Sequence, residues 1–237
     1  MQYANIILGR FVSRPNRFIA HVELDGQEVV CHVKNTGRCR ELLVPGARVW
    51  LSKSDNTARK TAYDLIAVEK GNLLINMDSA APNAVFGEFA RAGKFLPDTE
   101  TVKAEVRYGA SRFDFCITAG ERTHYVEVKG VTLEEDGVVR FPDAPTERGV
   151  RHIRELMAAK AAGFGAHIVF VIQMERAEYF APNVRTHPAF ADALREAAEA
   201  GVGIHAYTCR VTPDGLEIAD VVPVVLECAK NYEKNME

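Results

Sequence analysis

The sequence predicts an α/β protein in two parts. Residues 1–81 form a five-stranded OB-type β-barrel, and residues 82–237 form an α/β domain with a mixed central sheet. Three observations carry this. Residues 4–81 hold five or six short strand-like runs separated by turn residues, with one brief helical interruption, the pattern of a small closed barrel. From residue 83 onward, segments of helical and strand period follow in the order α-β-β-β-α-β-α-β, which lays helices over a mixed sheet. Hydrophobic residues make up 47% of the 237, enough to bury a core in each part.

In chain order, NIILGRFV is the first strand. RFIAHVEL follows and turns back at Asp25-Gly26, a pair suited to a tight turn that needs positive φ at both central positions. QEVVCHVK is the returning strand. NTGRCRELLVPG is a loop with one helical turn, stopped by Pro45-Gly46. ARVWLSKS comes next, and TAYDLIAVEK and NLLINMD flank a Lys70-Gly71-Asn72 turn. An SH3-like barrel is the alternative closure. Residues 83–94 are the first convincing helix, with Val85, Phe86, Phe89 and Ala90 on one stripe and Pro82 ahead of it marking the seam. VKAEVRYG, SRFDFCIT and THYVEVKGV are strands. TERGVRHIRELMAAKAAG is a helix with Thr146 as N-cap. AHIVFVIQM reads as a buried strand, PAFADALREAAEAG as an amphipathic helix ended by Gly201 or Gly203, and VGIHAYTCRVT as the last strand. The tail CAKNYEKNME is polar.

The net charge is −3, which argues against a uniformly basic nucleic-acid binder, yet residues 1–60 carry +5 and residues 61–237 carry −8. A basic module that meets phosphate and an acidic remainder that holds metal would give this split; chance variation is the competing account. No apolar run reaches the roughly 18 residues of a membrane span, and MQYANIILGR lacks the features of a signal peptide. Five scattered cysteines, none in a C-x-x-C pair, suit reduced thiols in a cytoplasm. Cys31, His32 and Cys39 match no usual zinc spacing. A homodimer is compatible with the sequence.

The chemistry concentrates in YVEVKGVTL. Alternation puts Glu127 and Lys129 on one strand face, and Val126 and Val128 on the other. In the preceding strand the same rule puts Phe113, Phe115 and Ile117 on one face, and Asp114 and Cys116 on the other. If Gly120-Glu121 make the turn, Asp114 lies opposite Glu127, with Cβ atoms about 4.5–5.5 Å apart. A one-residue slip would set Asp114 against Val126 instead. Two carboxylates so close call for a cation, and Mg²⁺ or Mn²⁺ suits hard oxygen ligands. Asp114, Glu127 and Lys129 thus outline a metal-dependent phosphodiester hydrolase, with Lys129 orienting water or stabilising the transition state. Glu88, on the preceding helix, is a third candidate ligand. The competing account is a solvated Glu-x-Lys face.

Several segments together resemble the sugar fermentation stimulation protein A family. They are Arg14-Pro-Asn-Arg-Phe18; His32 with Asn35-Thr-Gly-Arg38; Arg112-Phe-Asp-Phe115; Tyr125-Val-Glu-Val-Lys129; and Phe141-Pro-Asp-Ala-Pro-Thr-Glu-Arg-Gly149 followed by His152 and Glu155-Leu156. The resemblance runs over most of the chain. It implies an N-terminal OB-fold, a restriction-endonuclease-like domain of the PD-(D/E)xK type, DNA binding and a regulatory link to sugar (maltose) metabolism. The nuclease pattern maps onto Asp114, Glu127 and Lys129, although Phe113 stands where many such nucleases have proline.

Nucleic-acid contacts are expected from Arg14, Asn16, Arg17, Asn35 and Arg38 on the barrel, with Phe11, Phe18 and Trp50 interleaved either as stacking surfaces or as core. Asn16 and Asn35 would otherwise simply form turns. Arg148 and His152, four apart on one helix face, are expected to grip phosphate beside the metal; the alternative leaves His152 an exposed helix residue. His21, His124, His167, His187 and His205 form no evident constellation and read as structural. Two functions stay open: a Mg²⁺-dependent nuclease, and a non-catalytic DNA-binding regulator. No motif supports a sugar-modifying enzyme.

Overall fold

The computed structural model describes residues 1–226 except Thr36 and Ala110. Cys228 and the polar tail lie outside the described residues. Six strands form the first sheet: β1 (Ile6–Asn16), β2 (Ile19–Leu24), β3 (Gln27–Val33), β4 (Arg48–Lys53), β5 (Tyr63–Lys70) and β6 (Leu73–Asn76), in the order β3-β2-β1-β4-β5-β6. A parallel pairing of β3 with β5 closes five of them into a mixed OB barrel, and β6 extends from β5 outside the closure. The β2–β3 turn is the one expected, with Asp25 at φ 50° and Gly26 at φ 79° between the paired Leu24 and Gln27. The helical interruption is a single turn, closed by Leu43 N–H donating to the Cys39 carbonyl at 2.9 Å, and it drives Leu42 and Leu43 into the barrel core.

The second part comprises α1 (Ala81–Arg91), β7 (Thr99–Tyr108), β8 (Ser111–Ala119), β9 (Arg122–Val131), β10 (Leu133–Glu135), β11 (Val138–Phe141), α2 (Glu147–Ala161), β12 (Gly165–Ile172), β13 (Tyr179–Pro182), α3 (Pro188–Glu199), β14 (Gly203–Thr212) and β15 (Gly215–Val221). Its main sheet runs β15-β14-β12-β9-β8-β7. β9, β12 and β14 are parallel, and their outer neighbours are antiparallel. β10, β11 and β13 form a small second sheet. α1 starts two residues before the expected helix, because Pro82 is tolerated in a first turn, where its missing N–H has no partner to lose. Thr146 caps α2 as expected: its Oγ1 accepts the Gly149 N–H at 3.0 Å, a cap worth about 1 kcal/mol.

Two cores flank the main sheet. On one face Val85, Phe86 and Ala90 of α1 pack on Phe115, Val126 and Val128. On the other, Ile153 and Leu156 of α2 and Phe190 and Leu194 of α3 pack with Ile168 and Phe170. The barrel docks through polar ties. Lys70 Nζ donates to the Glu134 carboxylate at 2.5 Å and to its carbonyl at 2.6 Å. Gln173, just past β12, donates its amide to Asn76 Oδ1 at 2.9 Å and to the Asp78 carbonyl at 3.1 Å. No helix among the described residues is long and apolar enough to cross a membrane.

Candidate metal centre

The β8–β9 hairpin turns at Gly120-Glu121, with Ala119 paired to Arg122, and the register continues to Phe115 opposite Val126. One step further Asp114 would face Glu127, as expected, but the ladder stops there. Asp114 Oδ2 accepts the Val128 N–H at 2.7 Å, so a side chain takes the place of a strand carbonyl. Its other oxygen, Oδ1, accepts from Asn83 Nδ2 of α1 at 2.8 Å.

The splay corrects one expectation. Phe113 does not share the face of Phe115 and Ile117. It packs with Tyr108 and Tyr125 in the core that holds α2, whereas Phe115 sits against Phe86 of α1. Strict alternation fails because both strands beside Asp114 depart from regular pairing there: β9 has parted, and Glu105 of β7 sits at φ 58°.

Glu127 and Lys129 share a face, with Lys129 Nζ 2.5 Å from Glu127 Oε1. The same oxygen accepts from His152 Nδ1 of α2. Glu127 is 2% exposed and His152 3%. Glu127 Oε2 is buried and has no hydrogen-bond partner among the described residues. The two carboxyls are driven apart in acidity. Burial pushes the Asp114 pKa up and the Glu127 charge adds to it, outweighing the Val128 N–H, Lys129 and Asn83. Burial also raises that of Glu127, but the His152 hydrogen bond and Lys129 outweigh it and hold the carboxyl below its usual range.

Other expected site residues are placed differently. Glu88 does not reach the centre; its carboxylate pairs with the Met1 ammonium at 2.7 Å. His152 is not an exposed phosphate contact, because the α2 face that carries it is turned into the sheet. Arg148, one turn earlier and exposed, donates Nε–H to His152 Nε2 at 3.3 Å. Arg14 borders the barrel cleft and builds its wall: its guanidinium donates to the carbonyls of Gly37, Arg38, Arg17 and Asn35 at 2.7–2.9 Å. Asn16 Oδ1 accepts the N–H of Phe18 and Ile19, and Asn35 Oδ1 that of Gly37, so both amides close turns. Arg17 and Arg38 are exposed and, with Arg40, line a cleft of about 660 Å³ that reaches Ala144 of the α2 approach. Phe11 is barrel core, Trp50 is half-buried and Phe18 is half-exposed with Arg17 over its ring.

Comparison with known proteins shows the family. A family model described as "Sugar fermentation stimulation protein RE domain" matches residues 80–215, and one described as "SfsA N-terminal OB domain" matches residues 12–77. The chain is 58% identical to the sugar fermentation stimulation protein homolog of Desulfitobacterium hafniense (strain Y51), over 95% of this chain and 99% of that one. It belongs to the sugar fermentation stimulation protein family. A homolog from Clostridium beijerinckii is 52% identical, over 95% of this chain and all of its own length. The solved structure of Pyrococcus furiosus SfsA in complex with Ca²⁺ superposes with a TM-score of 0.85 at 28% identity, covering 95% of this chain and 98% of that one.

In this family member the donor set fits a hard divalent cation. Glu127 offers a buried oxygen without a hydrogen-bond partner among the described residues, and each Asp114 oxygen retains a lone pair beyond its one donor. Among the described residues no group of three or more His, Cys, Asp or Glu side chains is arranged to hold a metal.

Sequence reasoning missed one cluster. His124, His167 and His205 are not isolated: His124 Nδ1 lies 3.0 Å from His167 Nε2, and His167 Nδ1 lies 3.1 Å from His205 Nε2. They cross β9, β12 and β14 in a row. Gly165 stands opposite His124 and Gly203 opposite His167, and a Cβ on Gly165 would fall 2.0 Å from the His124 ring. The repeated Gly-x-His at 165–167 and 203–205 is its trace in the sequence, which names two of the three histidines and not their alignment.

Proposed function

We propose that this protein binds nucleic acid, DNA foremost, and hydrolyses its phosphodiester bonds at a Mg²⁺ or Mn²⁺ centre formed by Asp114 and Glu127. One observation carries the reading: a buried glutamate oxygen without a partner, beside a second carboxylate and a lysine. The Ca²⁺ of the Pyrococcus relative supports a divalent cation. The cation would supply a water of lowered pKa and neutralise charge growing on phosphate.

The chain's own residues do the rest. Asp114 is fixed by Val128 N–H and Asn83, so its oxygens do not rotate away. Glu127 has Lys129 and His152 on one oxygen, which leaves its other oxygen to meet the cation. Lys129 stands close enough to orient a water or meet the developing negative charge. Arg148 extends the cationic rim, and the cleft of Arg17, Arg38 and Arg40 would lead the strand across the barrel.

Binding without turnover, as a regulator of sugar metabolism, is the second reading. It is favoured by the engagement of the Lys129 ammonium with Glu127. Cleavage assays decide between them. Purified protein with Mg²⁺ or Mn²⁺ is expected to cut at least one of single-stranded DNA, duplex DNA and RNA. Asp114→Asn, Glu127→Gln and Lys129→Ala are each expected to lower the rate by at least about a hundredfold, the scale of losing one electrostatic stabiliser. Nucleic-acid binding with no cutting on any substrate assigns the second reading.

A further inference from the structure

Resting on the divalent-cation reading above, we propose that His152 is a positioning residue for Glu127 and that Arg148 sets its tautomer. Glu127 is deeply buried, so the side chains that touch it set its orientation. Glu127 Oε1 takes two donors, His152 Nδ1 and Lys129 Nζ, and Oε2 takes none. That asymmetry fixes which oxygen stays free.

The two donors differ in kind. Lys129 lies on the same strand at the end of a flexible stem, and its side chain is 17% exposed. His152 comes from α2, and its side chain is 4% exposed. The next residue, Ile153, and Leu156 anchor that helix in the core. His152 is the rigid member of the pair.

Its protonation pattern follows from donor counting. Arg148 Nε–H can only donate, and it points at His152 Nε2 from 3.3 Å. Nε2 therefore carries the lone pair, and Nδ1 carries the hydrogen that Glu127 accepts. The reverse tautomer would set two hydrogens against each other at Arg148 and two lone pairs against each other at Glu127. Arg148 and His152 sit one helical turn apart, and His152 faces the strand that carries Glu127. Partners of this type, one bond behind a metal ligand, orient it, and their loss typically costs about 10–100-fold in metal affinity.

The test is titration calorimetry of Ca²⁺ and of Mn²⁺ into the full chain, without nucleic acid. Glu127→Gln shows whether the heat reports this site. His152→Ala is expected to weaken binding about 10–100-fold. His152→Asn, whose amide nitrogen stands where Nδ1 stood, is expected to recover most of it. If Glu127→Gln abolishes binding but His152→Ala binds like the parent, the positioning role is overturned and the cation site stands. If Glu127→Gln binds like the parent, the cation reading itself fails. Should His152→Ala not fold, ¹⁵N NMR of the unaltered protein decides: His152 is expected as the Nδ1–H tautomer, and Arg148→Ala is expected to shift it toward Nε2–H. An Nε2–H tautomer in the parent overturns the proposal.

Discussion

At the scale of single residues, the barrel's arginines divide by what their guanidinium groups face. Arg14 meets four carbonyls of its own loop system. Hydrogen bonds from a charged donor are worth about 1.5–3 kcal/mol each when the partner would otherwise stay buried. Arg14→Ala is therefore expected to lower stability in urea unfolding by about 2 kcal/mol or more. Arg17→Ala combined with Arg38→Ala should leave the urea midpoint almost unchanged. In DNA titrations over a salt series the double variant should bind more weakly and flatten the log–log salt slope by about 2, one counterion for each lost phosphate contact. An unchanged slope clears that cleft of phosphate. A run such as Arg-Pro-Asn-Arg shows cations and a turn. It does not show which cation turns inward, because that depends on carbonyls more than 20 residues later, at Asn35, Gly37 and Arg38.

At the scale of elements, what was legible followed from local periodicity and turn chemistry. The β8–β9 register was readable because a two-residue turn and a period of two leave little freedom. The splay at Asp114 was not, since Asn83 reaches it from a helix 31 residues earlier. β10, β11 and β13 have three or four residues each, too few for a period to register. The histidine row was hidden for another reason: it exists only when three parallel strands align. The neighbouring rings are 5.2 and 5.3 Å apart between centroids, a spacing that fits in-line N–H···N bonds between ring edges. Burial pushes all three pKa values down, His167 to about 3, with Arg122 and Lys160 adding repulsion at His124 and His167.

The sign of the pH effect follows. The unfolded chain takes up protons near pH 6.5 and the folded row does not. Its contribution to stability is whole above about 6.5 and is lost as pH falls toward 3. The urea midpoint is expected to drop between pH 7 and pH 4.5, and His167→Gln should show a shallower drop over the same window. Equal slopes would remove the row from the acid response.

At the scale of the whole molecule, the barrel and the α/β part meet where the site is built. Gly130 follows Lys129 directly, and a Cβ there would fall 2.6 Å from Gln173 Oε1 and 2.7 Å from Pro82. Gln173 in turn holds Asn76 and Asp78 at the end of the barrel. Removing its amide strands buried acceptors at the seam, at a cost of about 1–3 kcal/mol. Trp50, the chain's single tryptophan, reports the barrel alone. Thermal transitions followed by Trp50 fluorescence and by far-UV circular dichroism are expected to coincide in the parent and to separate in Gln173→Ala. Coincidence in both would mean that the remaining ties, Lys70 to Glu134 among them, hold the two parts together without this amide.

The parting of β8 from β9 gives Asp114 two masters. A strand that lost its carbonyl partner needs an acceptor for Val128 N–H whether or not any phosphate is ever cut. Selection for folding alone would retain an aspartate at that position. Glu127 serves no such need with its second oxygen. On the proposed cation role, a relative that keeps the aspartate and lacks the glutamate is expected to fold in the same way and to bind no divalent ion in calorimetry.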